Sequence, residues 1–282
     1  MKSPTVVPAV TLALLFTLGA CERRQAPTSP SASQAMTPLQ APKAQTQAGA
    51  VRPLTFKQAD PAAEVSLTLS AEIGRYPALH ILLYDRETAQ LKAFATKAEA
   101  DRKADDGQYP WRQYTGERQW AVAAATPRLI SLRGMWLDYT GGAHPNHGSS
   151  ALLWDTAANK EIKPAALFRP GADMKALDKA ICDAVAAAKR HREGADPLDG
   201  VFGCVKWTET TLALAPSTEA GKFGGLMVLI DPYVVGSYAE GDYELILPLS
   251  TFRSLLAPTY LDAFAGSLKS PGNPDGSLSL RM

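Results

Sequence analysis

Two short stretches hold most of the side chains able to do chemistry. The first is Tyr139-Thr140-Gly141-Gly142-Ala143-His144-Pro145-Asn146-His147-Gly148, which sets two imidazoles three residues apart on a glycine-rich turn, beside an amide and a hydroxyl. With Asp138 or Asp155 as a carboxylate neighbour, His144 and His147 are of types that metals accept, but two histidines do not close a site. As a contact surface, Thr140, His144, Asn146 and His147 carry donors suited to sugar hydroxyls or a protein partner. As a structural turn, Gly141 and Gly142 supply backbone angles closed to other residues, Pro145 stops the strand, and His144 holds the turn by bonding backbone groups. His147, nearer the outer end, is then the better contact residue. The second stretch runs from Asp231 to Gly241, where Tyr233 and Tyr238 form either a stacking platform for a glycan or the core-closing tyrosines of a bulged hairpin. A hydrolase would need two carboxyl groups flanking its substrate, and Asp138, Asp155, Asp231 and Glu240 are the acids available for that. There is no His-Glu-x-x-His helix, Cys-x-x-Cys pair, Gly-x-Ser-x-Gly elbow or phosphate loop. No catalytic residue, metal or cofactor is therefore assigned.

The three cysteines divide by position. Lys2, the apolar run 6–18 and the small residues Gly19-Ala20 read as a signal peptide over residues 1–20, too short for a comfortable membrane span of about 20 apolar residues. Leu18-Gly19-Ala20-Cys21 resembles the bacterial lipobox, which makes Cys21 the expected site of diacylglycerol attachment. Glu22, in place of an inner-membrane retention Asp, points to the periplasmic face of the outer membrane of a Gram-negative cell. Residues 21–51 are Ala, Pro, Ser, Thr and Gln with few charges, a composition that builds no core and serves as a tether. That leaves Cys182 and Cys204, an even pair that an oxidising envelope is expected to join.

The elements that must position these groups lie in residues 52–282, which have enough length for one large or two small domains. Runs 65–69, 79–84, 119–125, 129–139, 151–154, 205–214, 226–235 and 243–247 are rich in β-branched and aromatic residues and read as strands. Residues 85–105 and 173–193 read as helices. The second aligns Met174, Leu177, Ile181, Val185 and Ala188 on one face, with Asp173 as N-cap and Gly194 as stop. Many strands with two helices argue for an α+β fold with mostly antiparallel sheets and a few packed helices. The 29 basic and 28 acidic residues form no basic stripe, so nucleic acid is not an expected partner.

Tyr139 to His144, then Asp155-Thr156 with Ile162 and Leu167-Phe168, and then the block 225–249 (GLMVLIDPYVVGSYAEGDYELILPL) resemble the extracytoplasmic domain of unknown function shared by the anti-sigma factor RsiV and the peptidoglycan deacetylase PdaC. Residues 56–137, with Tyr76-Pro77-Ala78-Leu79 early and Ser131-Leu132 late, resemble the smaller domain that precedes it. The resemblance implies an N-terminal α+β subdomain over 52–137 and an RsiV-like domain over 138–282. The RsiV module binds lysozyme, and in PdaC a separate domain deacetylates. With neither an anti-sigma segment nor a deacetylase expected here, the implied role is a non-catalytic, membrane-anchored binding module for a wall component such as peptidoglycan, or for a lysozyme-like protein. A peptidoglycan hydrolase, and an envelope stress-sensing or assembly factor, stand as alternatives.

Overall fold

A computed structural model describes residues 52–198 and 200–277 of the chain. The expected signal peptide, Cys21 and the tether lie outside the described residues. Strands β1 (Thr55–Ala59), β2 (Ala63–Leu69), β3 (Tyr114–Ala125), β4 (Leu129–Tyr139), β5 (Asn146–Asp155) and β6 (Lys160–Ile162) form one sheet in that order. All neighbours are antiparallel except β2 and β3, which run parallel. A parallel pair needs a long crossover, and helix α1 (Pro77–Ala104) supplies it. A second, antiparallel sheet holds β7 (Thr211–Pro216), β8 (Phe223–Ile230) and β9 (Tyr243–Pro248), preceded by helix α2 (Lys175–His191). The fold is α+β with mostly antiparallel sheets, as the sequence pattern indicates. No helix among the described residues is long and apolar enough to cross a membrane.

Alternation along the strands sorts residues into layers. On β2 the buried Ala63, Val65, Leu67 and Leu69 alternate with more exposed neighbours, the period-two pattern of a sheet with one covered face. They pack with Leu79, Leu83 and Leu91 of α1 and with Ile130, Leu132, Leu152 and Trp154 of the long hairpin β4–β5. The opposite face of that hairpin sends Leu129 and Leu153 into a second core, shared with Leu177, Ile181 and Val185 of α2 and with Leu212, Leu226 and Val228. Ala151 meets Ala213, Met227 and Leu229 where the two sheets face each other. The order of layers is therefore helix, sheet, sheet, helix. Between the sheets, Arg133 on β4 reaches the buried Glu244 on β9 at 2.8 Å.

Several expectations are corrected. Residues 79–84 are not a strand. Pro77 sits in the first turn of α1, where its missing N–H is no loss, and Leu79, Leu83, Leu91, Ala95 and Ala98 recur at helical spacing on the buried side. The run 205–214 is strand only from Thr211, after a single helical turn at Trp207–Glu209. The run 226–235 leaves the sheet at Ile230. Leu137 and Asp138, on either side of the expected junction of the two subdomains, both belong to β4 and pair with β3 and β5.

Candidate functional site

The two stretches singled out by their chemistry meet. Residues 140–145 join β4 to β5, and Gly141, at φ +85°, makes the turn that a side chain would oppose. Thr140, Gly142, His144 and Asn146 are exposed, while His147 is half-buried. Tyr238, from the segment between β8 and β9, stacks on His144 with ring centroids 3.9 Å apart and meets His147 edge-on at 5.6 Å. Its hydroxyl donates to the Pro145 carbonyl at 2.7 Å. Tyr233 lies 5.6 Å from Tyr238, is 57% exposed, and holds φ +71°. A bulky residue in the left-handed region is strained by about 1–3 kcal/mol and persists only where its surroundings fix it.

The two histidines are held differently. His144 is exposed and its Nδ1 meets only the carbonyl of the adjacent Pro145, at 3.0 Å. His147 is the one tied into the body, through Nε2 to Asp242 at 3.2 Å. Asp242 and Asp231 complete a small acid cluster. Burial pushes both carboxyls above the ordinary range. It is opposed at Asp231 by the Ser149 N–H, which donates at 2.7 Å, and at Asp242 by His147. The other Asp242 oxygen, Oδ1, is buried with no hydrogen-bond partner among the described residues.

The remaining acids are occupied structurally. Asp138 accepts two bonds from Arg118, at 2.7 and 3.2 Å. Asp155 accepts the N–H groups of Ala158 and Ala157 at 2.9 and 3.0 Å, which, Ala158 foremost, hold its carboxyl below the usual range. Glu240 is buried against Lys189 and the Tyr243 hydroxyl. Burial and that bond to Glu240 push the Tyr243 hydroxyl up. Arg192 lies 3.7 Å from the Tyr243 ring and donates to the carbonyls of Glu240 and Asp242. Lys189 and Arg192, at the C-terminal end of α2, thus clamp the segment that carries Tyr238 and Asp242. Among the described residues, no three His, Cys, Asp or Glu side chains are grouped to hold a metal ion.

No protein-family model matches the sequence, and no curated protein matches it. Solved structures do match in fold. A DUF3298 family member from Bacteroides fragilis has 16% identity and a TM-score of 0.53, over 74% of this chain and 93% of that one. A DUF3298 protein from Pseudomonas aeruginosa has 19% identity and a TM-score of 0.51, over 77% of this chain and 100% of that one. The fold is similar to that of these two proteins. DUF3298 is the domain type of RsiV and PdaC, so the resemblance seen in the sequence and the likeness in architecture agree.

On this scaffold the hairpin β4–β5 and the β8–β9 connection bring together His144, His147, Asp231, Tyr233 and Tyr238. Asp242 is the member that sequence reasoning missed. Its neighbours Gly241 and Tyr243 gave no sign that it would face a histidine 95 positions earlier. Cys182 and Cys204 form a disulfide, with Cα atoms 5.1 Å apart.

Proposed function

We propose that this protein is a non-catalytic envelope lipoprotein, anchored through Cys21 at the periplasmic face of the outer membrane. Its body binds a wall component or a lysozyme-like protein through the face made by residues 140–147 and Tyr233. The observation that carries this reading is the stack of Tyr238 on His144 with the strained, exposed Tyr233 beside it. The bond from its hydroxyl to the Pro145 carbonyl holds Tyr238, and Tyr233 beside it is left exposed to a partner. Aromatic side chains presented rigidly supply contact area at low entropic cost. The resemblance to a module that binds lysozyme supports the same reading.

One observation favours a second reading. Asp231 and Asp242 are two carboxyls raised toward protonation beside His147, the kind of pair from which a glycan hydrolase draws a general acid.

Calorimetry of the purified chain against lysozyme and against muropeptides tests the binding reading. One of them should bind, and Tyr233→Ala or His144→Ala should weaken it by about 1–2 kcal/mol with the melting temperature unchanged. If neither binds while peptidoglycan releases reducing ends, and Asp242→Asn stops that release, the hydrolase reading replaces it.

A further inference from the structure

On the α1 side of the large sheet lies an open cleft of about 520 Å³, lined by Arg86, Glu87 and Gln90 of α1 and by Arg118, Trp120, Trp136, Asp138, Ser150 and Ala151 of the sheet. Its volume falls within the range of small-molecule sites, about 300–1,000 Å³. None of the residues proposed above for binding lines it.

The two tryptophans that line the cleft each stand opposite a glycine on the neighbouring strand. Across the register, Gly134 pairs with Trp120 and Gly148 with Trp136. A Cβ on Gly134 would sit 2.7 Å from the Trp120 ring, and one on Gly148 would sit 2.7 Å from the Trp136 ring and 2.5 Å from Asp231. A side chain at either position would force the indole to stand away from the sheet. With glycine, both rings lie against the backbone. Trp120 is then covered by the Arg86 guanidinium, 5.6 Å from its ring centre, and is 4% exposed. Trp136 stays half-buried and lines the cleft.

The charges around the cleft are paired with one another, with one carboxylate in excess. Arg86 contacts Glu87 and Glu161, each at 3.2 Å. Arg118 holds Asp138 at 2.7 Å and lies 4.0 Å from Glu87. Two guanidiniums thus face three carboxylates, which leaves no spare positive charge for a phosphate, sulfate or uronate. What the cleft does offer is the half-buried indole of Trp136, with Gln90, Ser150 and the partly exposed, Arg118-bound carboxylate of Asp138 around it. That is the chemistry of a neutral sugar, whose ring C–H groups lie on the indole while its hydroxyls bond outward.

We propose that this cleft is a binding site for the uncharged units of an oligosaccharide, separate from the face made by the glycine-rich turn and independent of that reading. Titrating the full chain with chitotriose, cellotriose and trigalacturonate, followed by tryptophan fluorescence and calorimetry, tests it. At least one neutral trisaccharide should bind and trigalacturonate should not. Trp136→Ala should lower the affinity about tenfold or more, and Gln90→Ala about threefold. Should Trp136→Ala fail to fold, Ser150→Arg, which fills the cleft and leaves Trp136 in place, should abolish binding. The turn variants His144→Ala and Tyr233→Ala, titrated alongside, report separately on the face of the glycine-rich turn. The proposal is overturned if neither neutral sugar binds at about 10 mM, if trigalacturonate binds as well as they do, or if the turn variants abolish binding while the cleft variants do not.

Discussion

At Asp242 burial and His147 pull in opposite directions, and burial is the stronger. A carboxyl whose pKa is higher in the folded than in the unfolded chain binds more protons when folded. Its contribution therefore turns against folding as pH rises above the ordinary carboxylate value of about 4. Asp242→Asn is expected to melt with the wild type near about pH 3.5 and above it at about pH 7. Thermal melts at the two values check this, and a variant that loses ground at the higher pH would show His147 to dominate. The histidines should separate in the same assay. His147→Ala leaves a buried carboxyl without its partner and is expected to cost about 1–3 kcal/mol, against under about 1 for the exposed His144→Ala, which loses the Tyr238 stack and a bond to its neighbour. Here the sequence was only half legible. The residue types and the turn at Gly141 could be read from 139–148, whereas which histidine is anchored depends on Asp242, brought in by a different sheet.

The helix α2 was legible in almost every particular. The N-cap is Met174 rather than the expected Asp173, which sits one residue earlier and accepts the Lys175 N–H at 3.1 Å, and Gly194 at φ +71° follows the helix end. Its apolar stripe is long and uninterrupted, so periodicity alone identifies it. Residues 79–84 were not legible, because six apolar or aromatic residues look alike as strand or helix until their neighbours are known. The signals that decide are Pro77 and the recurrence of leucine at fours. The short β1 and β6 are edge strands that carry little apolar pattern, which is why no run marked them. The bridge from Cys182 on α2 to Cys204 ties that helix to the segment that enters β7, where the Trp207 N–H donates to Asp178 at 2.8 Å. Opening this loop of about 20 residues by Cys204→Ser is expected to cost about 3 kcal/mol, measured by denaturant melts of wild type and variant. Equal midpoints would mean that the helix and its packing hold the segment unaided.

At the scale of the whole molecule, the hairpin β4–β5 is common property. Adjacent residues along it, Leu129 and Ile130 or Leu152 and Leu153, enter different cores. Neither core can be dismantled without exposing one face of the strands that build the other. Calorimetry of the purified chain is therefore expected to show one unfolding transition for the described body, with equal calorimetric and van't Hoff enthalpies. Two resolved transitions would mean that the cores are separable. The α+β class was legible from the alternation of strands and helices, but the stacking of two sheets between two helices was not, since it depends on which strand face meets which.

The second core is closed late in the chain. Phe264 packs on Phe223 with ring centroids 5.5 Å apart, and the Gly276 carbonyl accepts the Glu244 N–H at 2.7 Å. A chain emerging from its N-terminal end must hold the apolar side of β4 and β5 uncovered until β7 arrives about 60 to 80 positions later, and the core stays open until Phe264 closes it. Pairings of such long sequence separation fold slowly and leave sticky surface exposed meanwhile. For this molecule the hazardous interval is the journey itself, and helpers that shield nascent chains act during that interval, before either candidate binding site exists.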